Sequence, residues 1–169
     1  DTDKSGLRIL LAIFFWFIGY SAIETFFTLY ATNHLGLTAG NGATLLSVLP
    51  LFFVLFAIPS GFIAGKIGRR TTITIGLISL ILMMILLYIT PATALLTGIA
   101  PLPLVGIPLI PDGPRMLTLA GVLLIIGGIG WACININSLP MIVDLTSAAR
   151  IGTFTGLYYL FSTLSAIVG

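Results

Sequence analysis

Five long apolar segments, at residues 7–32, 42–64, 71–90, 116–143 and 151–169, dominate this sequence. A helix needs about 20 apolar residues to cross the roughly 30 Å hydrocarbon core of a bilayer. Transmembrane strands would instead show alternating segments of about 10 residues. Only 7% of the residues are charged, whereas a soluble domain has about 25%. The sequence therefore predicts an all-α membrane protein, a polytopic bundle of five spanning helices.

The connections between these segments predict the arrangement of the helices. Three connections are short, and short connections place consecutive helices antiparallel. Residues 91–115 instead contain six prolines, which interrupt helices repeatedly. Because freed backbone groups cannot face lipid, we expect this segment to pack over the helix ends at the outer interface, with room for a short re-entrant piece at 92–99. We interpret residues 1–169 as one partial transmembrane domain of a longer protein.

The basic residues predict the orientation of the bundle. Under an alternating topology, six of them fall on one side and only Arg115 falls on the other; the six are Lys4, Arg8, Lys66, Arg69, Arg70 and Arg150. Lysine and arginine accumulate on the cytoplasmic side of membrane proteins. We therefore expect a multi-pass protein of the cell membrane whose N-terminus and loops at 65–70 and 144–150 are cytoplasmic.

Glu24 is the single formal charge well inside a long apolar segment. Such a group costs at least about 2.5–3.5 kcal/mol in hydrocarbon and marks a functional site by default. Ser21, Thr25 and Thr28 share its helical face, and Tyr20 lies four residues before it. This stripe predicts a site for a solute or a coupling ion, because carboxylates and hydroxyls hydrogen-bond sugars while aromatic rings cover their apolar faces. The alternative is a structural ion pair with a basic residue elsewhere in the protein.

The segment at 116–143 contains further polar candidates. Trp131 and Asn135 share one face of the predicted helix, and Asn137 lies on another. Two amides in one apolar helix predict a polar cavity lining, with Pro140 bending the helix. The alternative is that the amides hydrogen-bond neighbouring helices as packing contacts.

Two pairs of glycines with i, i+4 spacing predict close contacts between helices. The pairs are Gly61 with Gly65 and Gly152 with Gly156. Helices that pack this closely can slide or rock against one another, so we expect these contacts to serve conformational change.

The sequence lacks the motifs of common enzymes. It contains no H-E-x-x-H, no G-x-S-x-G, no P-loop and no glycine-rich dinucleotide fingerprint. One histidine, one cysteine and five acidic residues supply little catalytic apparatus, and the net charge of +2 forms no patch for nucleic acid. We expect no enzymatic activity, no cofactor, no metal and no nucleic-acid partner.

The loop at 61–70 reads G-F-I-A-G-K-I-G-R-R, which resembles the loop motif G-x-x-x-D-R-x-G-R-R of the major facilitator superfamily. The matching positions are Gly61, Gly68, Arg69 and Arg70, with Lys66 in the basic position. Gly65 stands where the family has an aspartate. The resemblance implies that the five segments are helices seven to eleven of a twelve-helix transporter, so that the remaining half of the transporter and the lipid bilayer are its partners.

The pattern that runs from Asn135 through Asp144 to Arg150 is similar to sugar–cation symporters of the glycoside–pentoside–hexuronide and sucrose-transporter type. The resemblance implies that Asp144 and Arg150 help to close a cytoplasmic gate. It also implies that Glu24, with Asn135 or Asn137, faces a central cavity near the bilayer midplane.

Together these observations predict a secondary active transporter that moves a small polar solute, preferably a sugar, by alternating access. We expect H⁺ rather than Na⁺ as the coupling ion, because one carboxyl group suffices to bind a proton. Two alternatives stay open: a lipid or drug exporter of the same superfamily, and a membrane scaffold or sensor subunit that does not transport.

Overall fold

Helices make up most of the computed structural model, which describes residues 2–110, 112–144, 146 and 148–169. The helices are α1 (Thr2–Asn33), α2 (Ala39–Leu46), α3 (Val48–Ile67), α4 (Arg69–Ile89), α5 (Ala92–Leu95), α6 (Leu119–Asp144) and α7 (Ile151–Val168), with a 3₁₀ turn at Ala148–Arg150 before the last. In the described residues, five spans are long and apolar enough to cross a membrane, and α2 with α3 forms the second of them. The predicted all-α bundle of five spanning helices is confirmed.

The second span is interrupted at Ser47, between α2 and α3. Pro50 has no N–H group, so the carbonyl of Leu46 loses its helical donor at this point. Thr38 caps the start of α2, where its hydroxyl accepts a hydrogen bond of 3.2 Å from the N–H of Asn41. The two helices nevertheless follow one another as a single membrane span.

Gly68 alone joins α3 to α4. Its φ of +89° lies in the left-handed region, which glycine adopts without steric cost. The sharp turn makes α3 and α4 antiparallel neighbours, and it places Lys66, Arg69 and Arg70 together at one end of the bundle.

Helix α6 lies between α3 and α4 and makes its most extensive contacts with these two helices. Gly128 of α6 faces the backbone of Leu49 in α3, and Gly130 faces Gly76 in α4. A methyl group at Gly130 would lie 2.9 Å from the carbonyl oxygen of Gly76. Small residues allow such close approach between helix backbones. We call α3, α4 and α6 the glycine-packed block.

Helices α1 and α7 form a second unit, which we call the α1–α7 pair. Leu10 and Ile13 of α1 are fully buried in a cluster that includes Tyr158 of α7. The rings of Phe14 and Phe161 meet edge to face with centroids 6.2 Å apart. Large side chains therefore fill the buried cluster of the pair, and Gly169 after α7 approaches the backbone of Ile18. Within the block, several glycines make the close contacts between helix backbones.

The glycine pairs that the sequence predicts as contact points do not make those contacts in the described part of the chain. All four are exposed, and no atom lies within 4 Å of the position that a Cβ would occupy; they are Gly61, Gly65, Gly152 and Gly156. The prediction is wrong because i, i+4 spacing does not say which helix face is buried. Most of the buried glycines among the described residues instead lie on α6 and on the facing side of α4, and Gly42 of α2 is buried against α1.

A small antiparallel sheet, which the sequence did not predict, follows α5. Its strands are β1 (Gly98–Pro101), β2 (Ile107–Pro108) and β3 (Arg115–Thr118), in the order β1-β3-β2. Leu95 of α5 and Ile107 of β2 are fully buried against the helical core. The segment therefore packs onto the bundle at the end opposite to the Gly68 turn.

Strand β3 also decides where the fourth span begins. Residues 116–118 are extended, so α6 starts at Leu119. The hydroxyl of Thr118 accepts a hydrogen bond of 3.2 Å from the N–H of Gly121, which satisfies one of the free donors at a helix start.

Candidate functional site

Glu24 projects from the middle of α1 with its side chain exposed. The phenol of Tyr20 donates a hydrogen bond of 2.9 Å to Oε1 of Glu24. Ser21 and Thr28 are half-buried on the same face, and Thr25 is exposed. We call Ser21, Glu24, Thr25 and Thr28 the polar face of α1. Among the described residues Glu24 forms no ion pair; the structural alternative concerns a basic residue outside this chain.

A different side of α1 borders an apolar groove of about 310 Å³. Its walls come from α1 and α4, and the lining residues are Ala22, Ile23, Phe26, Phe27, Tyr30, Met84, Leu87 and Tyr88. The phenol of Tyr30 donates a hydrogen bond of 2.7 Å to the carbonyl of Leu87 and thereby ties α1 to α4. Helix α1 therefore carries its polar face on one side and borders the apolar groove on another side.

Trp131 of α6 packs against Tyr20, the residue that donates a hydrogen bond to Glu24. Its ring is stacked on the ring of Tyr20, with centroids 3.8 Å apart and planes 4° from parallel. Trp131 is only 3% exposed and Tyr20 is 9% exposed. The sequence predicts both as solute or coupling candidates; the structure places their rings against each other, so that the hydroxyl of Tyr20 is the part that meets the polar face.

The two asparagines of α6 occupy different environments. Asn137 is buried, and its Nδ2 donates a hydrogen bond of 2.9 Å to the carbonyl of Cys133 in the same helix. Asn135 is half-exposed, one turn beyond Trp131. Asn137 is therefore satisfied within α6 and Asn135 is the more accessible amide.

The structure does not bring Asn135 close to Glu24. Because Tyr20 stacks on Trp131, these two residues lie at the same depth in the bundle. Helices α1 and α6 run in opposite directions, so Glu24 lies one turn to one side of the stack and Asn135 one turn to the other. Four residues in each direction correspond to about 12 Å along the helix axes.

A second polar cluster lies at the end of the bundle that contains the Gly68 turn. Arg69 donates hydrogen bonds to the carboxylate of Asp144 and, at 2.8 Å, to the carbonyl of Pro140. These contacts join the start of α4 to the end of α6. Lys66 and Arg70 are exposed beside them.

The resemblance implies that Asp144 and Arg150 help to close a cytoplasmic gate, and the ion pair described here for Asp144 is with Arg69. Arg150 lines a cleft between α1 and α7, together with Leu7, Leu10 and Phe154. Sequence reasoning missed the Arg69 contact because the two residues are 75 positions apart. The available signal was a basic loop and an acidic helix end on the same predicted side of the membrane.

Sequence reasoning also left Phe17 without a role. Its ring meets the ring of Trp131 edge to face, with centroids 5.0 Å apart. The i, i+3 spacing of Phe17 and Tyr20 places both on one helix face, which was the only sequence signal that they share a partner.

No group of three or more histidine, cysteine, aspartate or glutamate side chains that could hold a metal ion occurs among the described residues. The polar groups of the candidate site are hydroxyls, amides and one carboxylate. Such groups bind polar solutes, protons or alkali cations.

The fold and the site together define a polytopic helical membrane protein with a carboxylate on the open face of a spanning helix. The family model of the Major Facilitator Superfamily matches residues 3–169. The chain belongs to this family, and the protein is a transporter of the superfamily and a multi-pass membrane protein. No curated protein and no solved structure matches the chain significantly.

Proposed function

We propose that the protein is a secondary active transporter in which Glu24 couples the movement of a small polar solute to that of H⁺. The observation that supports this proposal is the exposed carboxylate of Glu24 on an apolar span. A charge at this position costs at least about 2.5–3.5 kcal/mol in hydrocarbon, so a water-filled path beside it explains its presence. A carboxyl group that takes up a proton on one side of the membrane and releases it on the other couples the two movements; Na⁺ is the alternative ion.

The polar face of α1 supports a solute rich in hydroxyl groups. Ser21, Thr25 and Thr28 offer hydroxyls that both donate and accept hydrogen bonds, and Glu24 adds a strong acceptor. A sugar matches this set of groups. In the family's architecture the solute binds between two six-helix halves near the midplane, so the remaining half of the transporter would supply the other wall.

The ion pair of Arg69 with Asp144 is proposed as part of a cytoplasmic gate. It fastens the α3–α4 turn to the end of α6, and Pro140 provides a point at which α6 can bend. The excess of lysine and arginine at this end of the bundle supports the proposal that this end faces the cytoplasm and that the protein lies in the cell membrane. Opening of the gate would require that Arg69 release Asp144.

The apolar groove supports a second candidate function, the export of an apolar solute. Its walls of phenylalanine, tyrosine, methionine and leucine side chains match a lipid or a drug better than a sugar. In this case the solute would bind on the α1–α4 side, and Glu24 would serve only the coupling ion.

Uptake by proteoliposomes tests the proposal. The full-length protein and its Glu24→Gln variant are compared under an imposed pH gradient with a panel of radiolabelled sugars. We expect the parent to accumulate one sugar and Glu24→Gln only to equilibrate it. Asp112→Asn is the matched control, because it makes the same chemical change at an exposed position outside the spans. Accumulation by Glu24→Gln equal to that of the parent would refute the coupling role.

A further inference from the structure

A continuous series of side chains runs from Glu24 across α6 to α7. Tyr20 donates its hydrogen bond to Glu24 at 2.9 Å and stacks on Trp131 at 3.8 Å. The ring of Phe17 meets Trp131 at 5.0 Å with an angle of 80° between the planes. The same ring meets Tyr158 of α7 at 6.3 Å and 83°.

Three of the four rings in this series are buried, and Phe17 is partly buried and packed against them. Trp131 is 3% exposed, Tyr158 is 6% exposed and Tyr20 is 9% exposed. Stacked and edge-to-face pairs are the favoured arrangements of aromatic rings. Because protein interiors are close-packed, a ring in this series cannot move without displacing the next one.

The series also lies at the junction of the two units of the bundle. Helices α1 and α6 approach each other over a short length only, and the stack of Tyr20 on Trp131 lies there. A separate contact, the hydrogen bond from Tyr30 to Leu87, joins α1 to α4 of the block.

Phe17 is the residue that contacts both Trp131 of the block and Tyr158 of α7. Helices α6 and α7 also contact each other directly, with Ile142 and Tyr158 in one buried cluster. Phe17 adds a second connection, by which a change in the tilt of Trp131 can act on α7.

We propose that Phe17 is a positioning residue that transmits the state of Glu24 to α7. This inference rests on the proposed coupling role of Glu24. An ionised Glu24 accepts a charge-assisted hydrogen bond from Tyr20, and such bonds are stronger than neutral ones. When a proton or a solute hydroxyl occupies the carboxylate, that bond weakens, Tyr20 relaxes against Trp131, and Phe17 moves α7 relative to the block.

The described surroundings of Glu24 supply few other titratable groups. Tyr20 of α1 is in hydrogen-bond contact with it, and Tyr158 of α7 is the titratable group at the far end of the series. Trp131, the residue that α6 contributes, does not titrate. The positions of the rings in this series therefore depend on whether a proton or a solute hydroxyl is bound to the Glu24 carboxylate.

Distance measurements between two spin labels test this proposal without any transport assay. Labels are placed on cysteines introduced at Leu160 of α7 and Leu82 of α4, which are 59% and 51% exposed, in a Cys133→Ala background. The full-length protein is studied in lipid nanodiscs, with Glu24→Gln as the mimic of the protonated carboxyl group. We expect Glu24→Gln to shift the α7–α4 distance distribution.

Phe17→Leu is then added to both the parent and Glu24→Gln. We expect the shift caused by Glu24→Gln to fall to less than half of its size, because the contact that transmits it is lost. Phe15→Leu is the matched control: it makes the same change two residues away on α1, where the side chain is 66% exposed, and should leave the shift at full size. If Phe17→Leu does not fold, Tyr158→Leu breaks the same contact from α7.

Two results would overturn the proposal: no shift with Glu24→Gln, or a shift of full size in the presence of Phe17→Leu or Tyr158→Leu. Both are separate from a failure of the proposed function, which appears only as unchanged accumulation by Glu24→Gln in proteoliposomes. If Glu24→Gln abolishes accumulation but does not shift the distance, the proposed function stands and only the transmission through Phe17 is refuted.

Discussion

The glycine-packed block and the α1–α7 pair are joined internally by different kinds of contact. In the block, backbones touch: Gly130 lies against Gly76, and Gly128 lies against Leu49. The hydroxyl of Ser60 in α3 also donates a hydrogen bond of 3.2 Å to the carbonyl of Ala132 in α6. In the α1–α7 pair, aliphatic and aromatic side chains such as Leu10, Ile13 and Tyr158 make the buried contacts, and Gly169 after α7 also lies against the backbone of Ile18.

This difference determines which unit can move. A backbone-to-backbone contact has no rotatable bonds through which to adapt, and helices held in this way move together. Side-chain contacts contain rotatable bonds, so the rings at this junction can readjust together when a helix changes position. The residue that we propose for coupling, Glu24, lies on the α1–α7 pair beside the adaptable junction.

The largest effect is expected from a substitution that breaks the block. Gly130→Ala would place its methyl group 2.9 Å from the carbonyl oxygen of Gly76 and 2.9 Å from Cβ of Ser79. Since a backbone oxygen cannot turn aside, α6 and α4 must separate. We expect a loss of about 1–3 kcal/mol, as for other overpacked cores, measured as thermal unfolding in detergent.

Gly65→Ala is the counterpart of this variant on an exposed face. No atom lies within 4 Å of its Cβ position, and alanine is the better helix former by about 1 kcal/mol. We expect unchanged or higher stability. Equal destabilisation by Gly65→Ala and Gly130→Ala would show that the distinction between the two sets of glycines is wrong.

A smaller effect is expected at the junction between the units. Tyr20→Phe keeps the stack on Trp131 and removes only the hydrogen bond to Glu24. Hydrogen bonds to charged groups contribute about 1.5 kcal/mol or more, which corresponds to roughly a tenfold lower initial rate of coupled uptake. Tyr159→Phe removes an exposed phenol from α7 and should have no such effect. A rate for Tyr20→Phe within twofold of the parent would count against the hydrogen bond.

The smallest effect on stability is expected at the end of the block that contains the Gly68 turn. Arg69 and Asp144 are 37% and 60% exposed, and exposed ion pairs contribute only about 0.2–1 kcal/mol. Arg69→Gln should lower the unfolding free energy by that amount and shift the transporter toward its inward-open form. Arg8→Gln removes an exposed arginine of α1 and should change neither. If Arg69→Gln lowers the unfolding free energy by far more than about 1 kcal/mol, the ion pair stabilises the fold and does not act as a gate.

The spans and the polar face of α1 could be predicted from the sequence, because segment length and i, i+3, i+4 spacing are local properties. The partners of these residues could not. The stack of Tyr20 on Trp131 and the ion pair of Arg69 with Asp144 join different helices, and helix periodicity gives no information on which faces meet. The same limit explains why exposed Gly61 looked equivalent to buried Gly76.

The sheet at 98–118 escaped prediction for a different reason. Its prolines correctly indicated the absence of a long helix, but two-residue and four-residue strands are too short to give an alternating pattern. The pairing of β1 with β3 joins residues as far apart as Gly98 and Thr118, with β2 between them in the sequence.

If the polar face of α1 lines a water-filled path and its other side does not, a water-soluble reagent will reach only the polar face. Cysteines are introduced singly at Glu24, Thr28, Ala22 and Phe26 in a Cys133→Ala background and exposed to a charged, water-soluble thiol reagent in membranes. We predict rapid labelling at positions 24 and 28 and none at positions 22 and 26. Labelling at 22 and 26 with none at 24 and 28 would contradict the account.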